Sequence, residues 1–332
     1  MAQIVLGMGS SHGPMLSTPA SQWGQRVSAD KTNCQHHFKG RMWTFDELVI
    51  VRKEENLKRQ IGVNVWQQRY DACRAALSRL AEAFHHAKPD VAVIIGNDQR
   101  EIFNAELTPA LAVFWGDSIV NSMYSEERIA ALPHGIGIAV PGHIPPGGAT
   151  YPGAPDLGRH ILTSLTGRGF DTSSLTQMPR DETPHAFGFV YRQIMLDQPV
   201  PSVPIVLNTF YPPNQPTIRR CYELGKALVE AIESWPTNAR VALIASGGLT
   251  HFVVDEVVDR TVLDCLRDGT VAPIENLGET YFQAGTSEVK NWIPVAGAMA
   301  HLGFEFTEVA YIPCYRSEAG TGNGMGFAYW LP

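Results

Sequence analysis

The chain of 332 residues is 44% hydrophobic and 18% charged, which excludes a disordered protein and allows a large buried core. Its formal net charge of -7 disfavours a surface for nucleic acid or for an anionic membrane. No apolar run approaches the roughly 18 residues that a membrane-spanning helix needs, so we expect a cytoplasmic protein. The five scattered cysteines form no CxxC pair and indicate reduced thiols.

Strand-like and helical patterns alternate along the chain. Nearly continuous apolar runs predict strands, buried on both faces, near residues 3–9, 90–96, 110–115, 203–209, 240–246 and 306–312. Apolar residues at helical spacing predict helices over 45–86, 156–167, 217–234, 254–267 and 288–301. A capping box from Thr44 to Glu47 marks the first helix start. The alternation predicts an α/β fold, with a central mostly buried β-sheet flanked by helices. We expect one domain over residues 1–332, with a helical N-terminal insertion at about 20–88.

The first predicted strand ends in Ser-Ser-His-Gly-Pro, which places His12 in a strand-to-loop turn. In open α/β sheets the ligand lies at the carboxyl ends of the strands, so we expect the active site there. An imidazole at such a turn is well placed to bind a metal. A turn histidine that only bonds the backbone is an equally good interpretation.

The strand near 90–96 ends in the polar trio Asn97, Asp98 and Gln99. Three polar side chains after an apolar run place polar groups at the carboxyl edge of the sheet. Asp98 could instead be a helix N-cap, but a cap explains one residue of the three.

Two further histidines stand in conspicuous local sequences. His185 lies in Thr-Pro-His-Ala-Phe-Gly-Phe and could act as a general acid or base, or be a satisfied core histidine. His251 closes Ser-Gly-Gly-Leu-Thr-His after the most hydrophobic strand, where paired glycines let backbone amides approach a ligand. Asp255 and Glu256 follow it, either facing the same cavity or complementing a helix dipole.

Together these segments resemble the class III extradiol ring-cleavage dioxygenases, the family of the protocatechuate 4,5-dioxygenase β subunit. Within the family, the similarity is closest to the single-chain 3-O-methylgallate 3,4-dioxygenases. The resemblance implies an Fe(II)-dependent enzyme that opens the ring of a small gallate-type substrate with O2, in the catabolism of lignin-derived aromatics. It also implies a homodimer. The resemblance rests on the SSH turn, the strand ending in ND, TPHAFGF, NTFYPP, GGLTH and the segment from Pro313 to Asn323.

Family members hold iron with two histidines and a glutamate, which leaves open positions for substrate and dioxygen. By this resemblance His12 is the first metal ligand and Glu256 the carboxylate ligand, with Asp255 as its neighbour and alternative. His185 resembles the base that takes a substrate hydroxyl proton. His251 is expected beside it as a second catalytic residue.

The chain departs from the family at the second histidine ligand, where Asn-Asp-His is replaced by Asn-Asp-Gln. Gln99 offers only a neutral amide oxygen, a weaker ligand than imidazole. Three explanations are open. In the first, Gln99 or Asp98 binds the iron directly; in the second, His36 or His37 supplies the missing imidazole. Alternatively the site has lost iron, which would make the chain a non-catalytic metal-binding or interaction protein on the same fold.

A gallate-type ring also carries a carboxylate that the protein must hold. The candidates for this contact come from the C-terminal part of the chain, and they are Tyr315, Arg316 and Lys290. The extra segment from Gln22 to Arg69 is expected to form the wall that a separate small subunit provides in two-chain relatives.

Overall fold

A computed structural model describes residues 1–332, and it confirms the predicted class, a mixed α/β protein with a large central sheet. The strands are β1 (Gln3–Ser10), β2 (His36–Phe38), β3 (Arg41–Trp43), β4 (Val91–Asn97), β5 (Leu111–Phe114), β6 (Ser118–Asn121), β7 (Ala149–Pro152), β8 (Ser173–Leu175), β9 (Ser202–Leu207), β10 (Arg240–Ser246), β11 (His251–Val253), β12 (Glu305–Tyr315) and β13 (Thr321–Leu331). The α-helices are α1 (Val27–Thr32), α2 (Phe45–Val51), α3 (Val63–Ala87), α4 (Glu126–Ala131), α5 (Pro155–Gly167), α6 (His185–Phe189), α7 (Ile218–Glu233), α8 (Glu256–Asp268), α9 (Ala272–Leu277) and α10 (Val289–Leu302). None of these helices combines the length and the apolar character needed to cross a membrane.

The central sheet has nine strands, eight of them in the order β11-β13-β1-β10-β4-β9-β5-β8, with β12 paired to β13. The strands in its middle are parallel: β10 pairs in parallel with β1 on one side and β4 on the other, and β4 pairs in parallel with β9. In this register Ser10 lies beside Ser246, and Ile95 lies beside Ala245. Three neighbouring strands therefore end together, and the residues that follow them meet at one edge of the sheet.

Both faces of the sheet are covered, as the continuous apolar runs of the parallel strands predict. Along β4, Val91, Val93 and Ile95 belong to a core cluster of 43 buried residues that includes side chains of α5, α7, α8 and α10. Ala92 and Ile94 point the other way, into a cluster of 35 buried residues with α3 and α6. The alternation of side chains along a strand thus divides one apolar run between two cores.

The prediction of one helix over 45–86 is wrong for the middle of that range. Helix α2 begins at the expected capping box but ends at Val51, and α3 begins only at Val63. Arg52 is buried and donates from Nη1 to the carbonyl of Val254, 2.9 Å away, and Asn56 takes a left-handed conformation with φ of 49°. The predicted helix is thus interrupted where Arg52 contacts a segment 202 residues away, a contact that local periodicity does not register.

The sequence pattern does not predict the long strand β13. It does predict the neighbouring strand, near 306–312, which the structure extends to the full length of β12. The sequence of β13 contains three glycines, which weaken any strand signal. It forms a strand because it lies between β1 and β12 and pairs antiparallel with both.

Helix α10 approaches β1 closely, and this approach depends on a glycine. A Cβ atom at Gly9 would collide with the indole ring of Trp292, whose Nε1 donates to the carbonyl of Gly247 at 2.8 Å. The first residue before α10 is Glu288. Tight packing of this helix therefore brings a carboxylate to the edge where β1, β10 and β4 end.

Candidate metal centre

His12 follows β1 in a buried turn, and its hydrogen bonds define which ring nitrogen carries the proton. Nδ1 lies 2.9 Å from Oγ of Ser246, and this hydroxyl donates to the carbonyl of Ala186 at 2.6 Å. The hydroxyl oxygen must therefore accept from Nδ1–H. Burial lowers the pKa of His12, which favours the neutral ring. Nε2 is then a bare lone pair, buried and without a hydrogen-bond partner.

Glu288 supplies the carboxylate at the centre of the site. Its Oε1 accepts from Nδ2 of Asn97 at 3.1 Å and from Nε2 of Gln99 at 2.8 Å. Its Oε2 accepts from the amide of Gly248 at 2.8 Å and lies 3.0 Å from Nε2 of His12. Burial alone would raise the pKa of Glu288, but interaction with the neighbouring imidazoles of His12 and His251 holds it well below the usual range. The group is an anion that already has fixed donors on both oxygens.

His251 is the second imidazole that faces this carboxylate. Its Nδ1 lies 2.9 Å from the carbonyl of Leu249, which can only accept, so Nδ1 carries a proton. Its Nε2 lies 3.4 Å from Oε2 of Glu288. Burial opposes the charged ring, yet the charge of Glu288 outweighs it and the pKa of His251 is raised. Gly248 is needed here, because a Cβ atom at this position would overlap the ring of His251.

His185 opens helix α6 immediately after Pro184, and a buried glutamate orients its ring. Oε1 of Glu101 accepts from the backbone amide of His185 at 2.8 Å and lies 2.7 Å from Nδ1. Burial would lower the pKa of His185, but the charge and hydrogen bond of Glu101 raise it to about 9. Burial would likewise raise the pKa of Glu101, and His185 lowers it to about 2. The ring of His185 lies edge-on to that of His12, with centroids 4.6 Å apart.

These residues have the donor set of a metal site. One ligand atom each from His12, His185 and Glu288 lies within 4.8 Å of the other two. The lone pair of His12 Nε2 faces a carboxylate oxygen at 3.0 Å, an arrangement that is repulsive unless a cation or a proton lies between them. Each histidine Nδ1 is also held by an acceptor, as is usual for imidazoles that bind a metal through Nε2. The residues present therefore fit a bound metal ion.

The cavity that contains these groups has a volume of about 370 Å³, at the lower end of the range typical of small-molecule sites. His12, Gln99, His185, His251 and Glu288 line it. A second wall is largely apolar and suits the face of an aromatic ring, and it comprises Leu132, Pro133, Ile136, Ala139 and Val140.

Four of the expected site residues come together in this cavity, namely His12, Gln99, His185 and His251. Gln99 turns its amide nitrogen to Glu288, so the atom that meets the carboxylate is a donor and not a ligand oxygen. Asp98 holds the turn after β4, because its carboxylate accepts from the amides of Arg100, Glu101, Ile102 and Phe103. No helix follows Asp98, so it caps a turn and not the helix of the capping alternative.

The other expected residues lie outside the cavity and have partners elsewhere. Glu256 is in the first turn of α8, is exposed, and accepts from the hydroxyl of Tyr315 at 2.8 Å. Asp255 caps the same helix through the amides of Val257 and Val258. Lys290 pairs with Glu279 at 2.6 Å.

The remaining residues expected at the site lie in or near the N-terminal segment. Arg316 makes a two-pronged ion pair with Asp30, at 2.7 and 2.8 Å. His36 lies 2.8 Å from the carbonyl of Asp30, and neither His36 nor His37 lines the cavity.

Sequence reasoning missed the two glutamates that organise the site, Glu288 and Glu101. A signal for Glu288 was present, because it immediately precedes a helical pattern that is almost entirely apolar. A carboxylate at the start of a buried helix must have polar partners. Glu101 had no comparable signal, because its role depends on His185, 84 residues away.

Comparison with known proteins gives three findings. The model of the family described as "Catalytic LigB subunit of aromatic ring-opening dioxygenase" matches residues 62–312. A gallate dioxygenase from Pseudomonas putida KT2440 is 40% identical over 119 residues, which are 35% of this chain and 33% of that protein. The match thus spans about a third of that relative's length. An uncharacterized Escherichia coli K12 protein of known structure has a TM-score of 0.42 and 13% identity, covering 77% of this chain and 91% of its own.

Proposed function

Because the chain belongs to the family of catalytic LigB subunits of aromatic ring-opening dioxygenases, we propose that it opens the ring of a gallate-type substrate with dioxygen. The family agrees with the enzyme class expected from the sequence motifs. The observation that carries the proposal is the convergence of His12, His185, His251 and Glu288 on one cavity of about 370 Å³. The substrates we propose are 3-O-methylgallate and gallate, the latter also the substrate named for the Pseudomonas relative.

We propose that His12, His185 and Glu288 hold Fe(II), because two imidazoles and one carboxylate are the ligands of non-haem iron oxygenases. When bound, Fe(II) supplies Lewis-acid and redox chemistry with open coordination positions. Ser246 and Glu101 support this set by fixing the Nδ1–H tautomers of the two imidazoles. Glu288 thereby replaces Glu256 as the proposed carboxylate ligand.

His251 is the proposed acceptor of a substrate hydroxyl proton. Its Nδ1–H is already bonded to the carbonyl of Leu249, so the neutral ring can accept only at Nε2. Glu288 Oε2, 3.4 Å from that nitrogen, stabilises the imidazolium that results. The apolar wall of the cavity keeps water from the ring, which strengthens these charge interactions.

Gln99 is proposed to hold the carboxylate of Glu288 rather than to bind the metal. Gln99 Nε2 and Asn97 Nδ2 both donate to Oε1 of Glu288. Oε2 is left as the oxygen that faces the imidazoles. A glutamine amide can donate this hydrogen bond without binding the metal. The departure from the family's Asn-Asp-His is then compatible with a working site.

The test is oxygen uptake after anaerobic loading with Fe(II). The protein should consume one O2 per molecule of 3-O-methylgallate or gallate, and His12→Ala should neither retain iron nor consume oxygen. Iron retention without oxygen uptake on 3-O-methylgallate, gallate or protocatechuate would refute the proposed reaction. Failure of the unmodified protein to retain any iron would favour the non-catalytic alternative.

Separate variants distinguish the roles of His185 and His251. If His185 is a ligand, His185→Ala should lose iron, whereas His251→Ala should keep iron and lose kcat by about 100- to 10,000-fold, as is usual for removal of a general base. The reverse pattern would return His185 to the role of base expected from the motifs. Iron content is measured after gel filtration, independently of activity.

A further inference from the structure

Three arginines line the cavity, and two of them already have partners. Arg100 donates from Nη1 to Oγ1 of Thr108 at 2.7 Å. Arg128 forms an ion pair with Glu182. Arg26 differs from both, because its Nε and Nη1 atoms are buried and have no hydrogen-bond partner. Arg26 as a whole is half-buried, but two buried guanidinium nitrogens without an acceptor are costly, so their retention points to a ligand that supplies one.

Asp30, the acid whose charge acts on Arg26, already has other partners. The two carboxylate oxygens of Asp30 accept from Nε and Nη2 of Arg316, and Thr321 donates to Oδ2 at 2.6 Å. Two guanidinium groups therefore share one carboxylate, which leaves a charge of +1 in this wall. Burial, with the charge of Arg316 second, lowers the pKa of Arg26 to about 10, so Arg26 remains a cation at neutral pH.

Resting on the ring-opening function proposed above, we infer that Arg26 binds the carboxylate of an aromatic acid substrate. A guanidinium presents paired N–H donors that match a carboxylate in a two-pronged contact. Arg26 lines the same cavity as His12, Glu288 and the apolar wall of Leu132 to Val140, so a carboxylate-binding group and the candidate metal ligands face one space. The bound anion neutralises the wall and satisfies the orphaned guanidinium.

This assignment replaces the contacts expected from sequence. Tyr315, Arg316 and Lys290 bond Glu256, Asp30 and Glu279 respectively, and none of the three lines the cavity. Arg26 ends the turn of Ala20–Arg26 in the N-terminal segment that was expected to form a wall of the site. Its role is therefore to select substrates that carry an acid group.

The experiment compares a charged ligand with its neutral counterpart. Gallate and 3,4,5-trihydroxybenzamide differ only in that one carries a carboxylate and the other an amide. Calorimetry under anaerobic conditions measures the affinity of both without opening the ring. The protein as purified should bind gallate more tightly by about 10- to 100-fold, as expected of a charge-assisted pair. Arg26→Gln should abolish this preference. Arg159→Gln, at an exposed arginine of α5, should leave it unchanged.

A second variant guards against a folding defect. Arg26→Lys keeps the charge but loses the paired donors, so it should retain a reduced preference for gallate. A full preference for gallate in Arg26→Gln would overturn the inference, as would an unmodified protein that binds acid and amide equally.

The result is separable from that of the proposed function. If Arg26 discriminates acid from amide but no ring substrate consumes oxygen, the ring-opening proposal fails and the aromatic-acid site stands. Oxygen uptake with gallate and with pyrogallol at equal KM, in the unmodified protein and in Arg26→Gln alike, would leave the ring-opening proposal intact and overturn the role of Arg26.

Discussion

The pair of Glu101 and His185 makes a pH-dependent contribution to stability that a single substitution should remove. Glu101→Gln keeps the size of the side chain but loses the charge that accepts from His185. In the metal-free protein this charge, acting against burial, raises the pKa of His185 from 6.5 to about 9. At about 1.4 kcal/mol per pKa unit, the raised value is worth about 3 kcal/mol of stability.

The direction of the pH effect follows from the raised pKa. Between pH 6.5 and about 9 the folded protein keeps the His185 proton that the unfolded chain has lost. The contribution is therefore fully present below pH 6.5 and is lost as the pH rises through about 9. The variant lacks it at every pH.

Urea unfolding of the metal-free proteins at pH 6 and pH 9.5 measures this effect. The difference in free energy of unfolding between the unmodified protein and Glu101→Gln should shrink by about 3 kcal/mol between the two conditions. Glu106→Gln, at an exposed glutamate five residues on, should show no such change. A difference that stays constant with pH would refute the proposed coupling of Glu101 and His185.

Three further predictions concern the supports of the site. Gly9→Ala should cost about 1–3 kcal/mol in urea unfolding, because its methyl collides with the indole ring of α10, whereas Gly167→Ala, with open space around it, should cost less than 1 kcal/mol. Equal effects would contradict the packing argument. Ser246→Ala should lower iron affinity about 10- to 100-fold in chelator competition, because the Nδ1–H of the first ligand loses its acceptor; unchanged affinity would count against that orientation. His143 also lines the cavity, with its ring centroid 6.1 Å from that of His185. Burial and the charge of His185 lower the pKa of His143 to about 3, so its NMR resonances should not titrate between pH 5 and pH 8 in the metal-free protein, and a midpoint near 6.5 would contradict this.

Much of the fold was accessible from local pattern. The parallel strands β1, β4, β9 and β10 and the helices α5, α7, α8 and α10 lie where apolar runs and helical periodicity place them. Failures occurred where a non-local contact overrode local propensity. The predicted helix is interrupted where Arg52 makes a buried contact with Val254, and a glycine-rich segment forms a strand where it pairs with β1 and β12.

The sequence by itself determined which histidines stand at the ends of strands and turns, because strand ends and Gly or Pro breaks are local signals. His12, His185 and His251 were found this way, and the structure brings them to one cavity. Only the tertiary structure decided between the carboxylates. Glu256 begins one helix and Glu288 immediately precedes another. Packing of α10 on β1 buries Glu288 among donors, whereas Glu256, on α8, is exposed. The same holds for Arg26, whose lack of a partner arises because Asp30 pairs with Arg316, 286 residues along the chain. Charge and burial at a site are sums over distant segments, and local sequence carries no record of them.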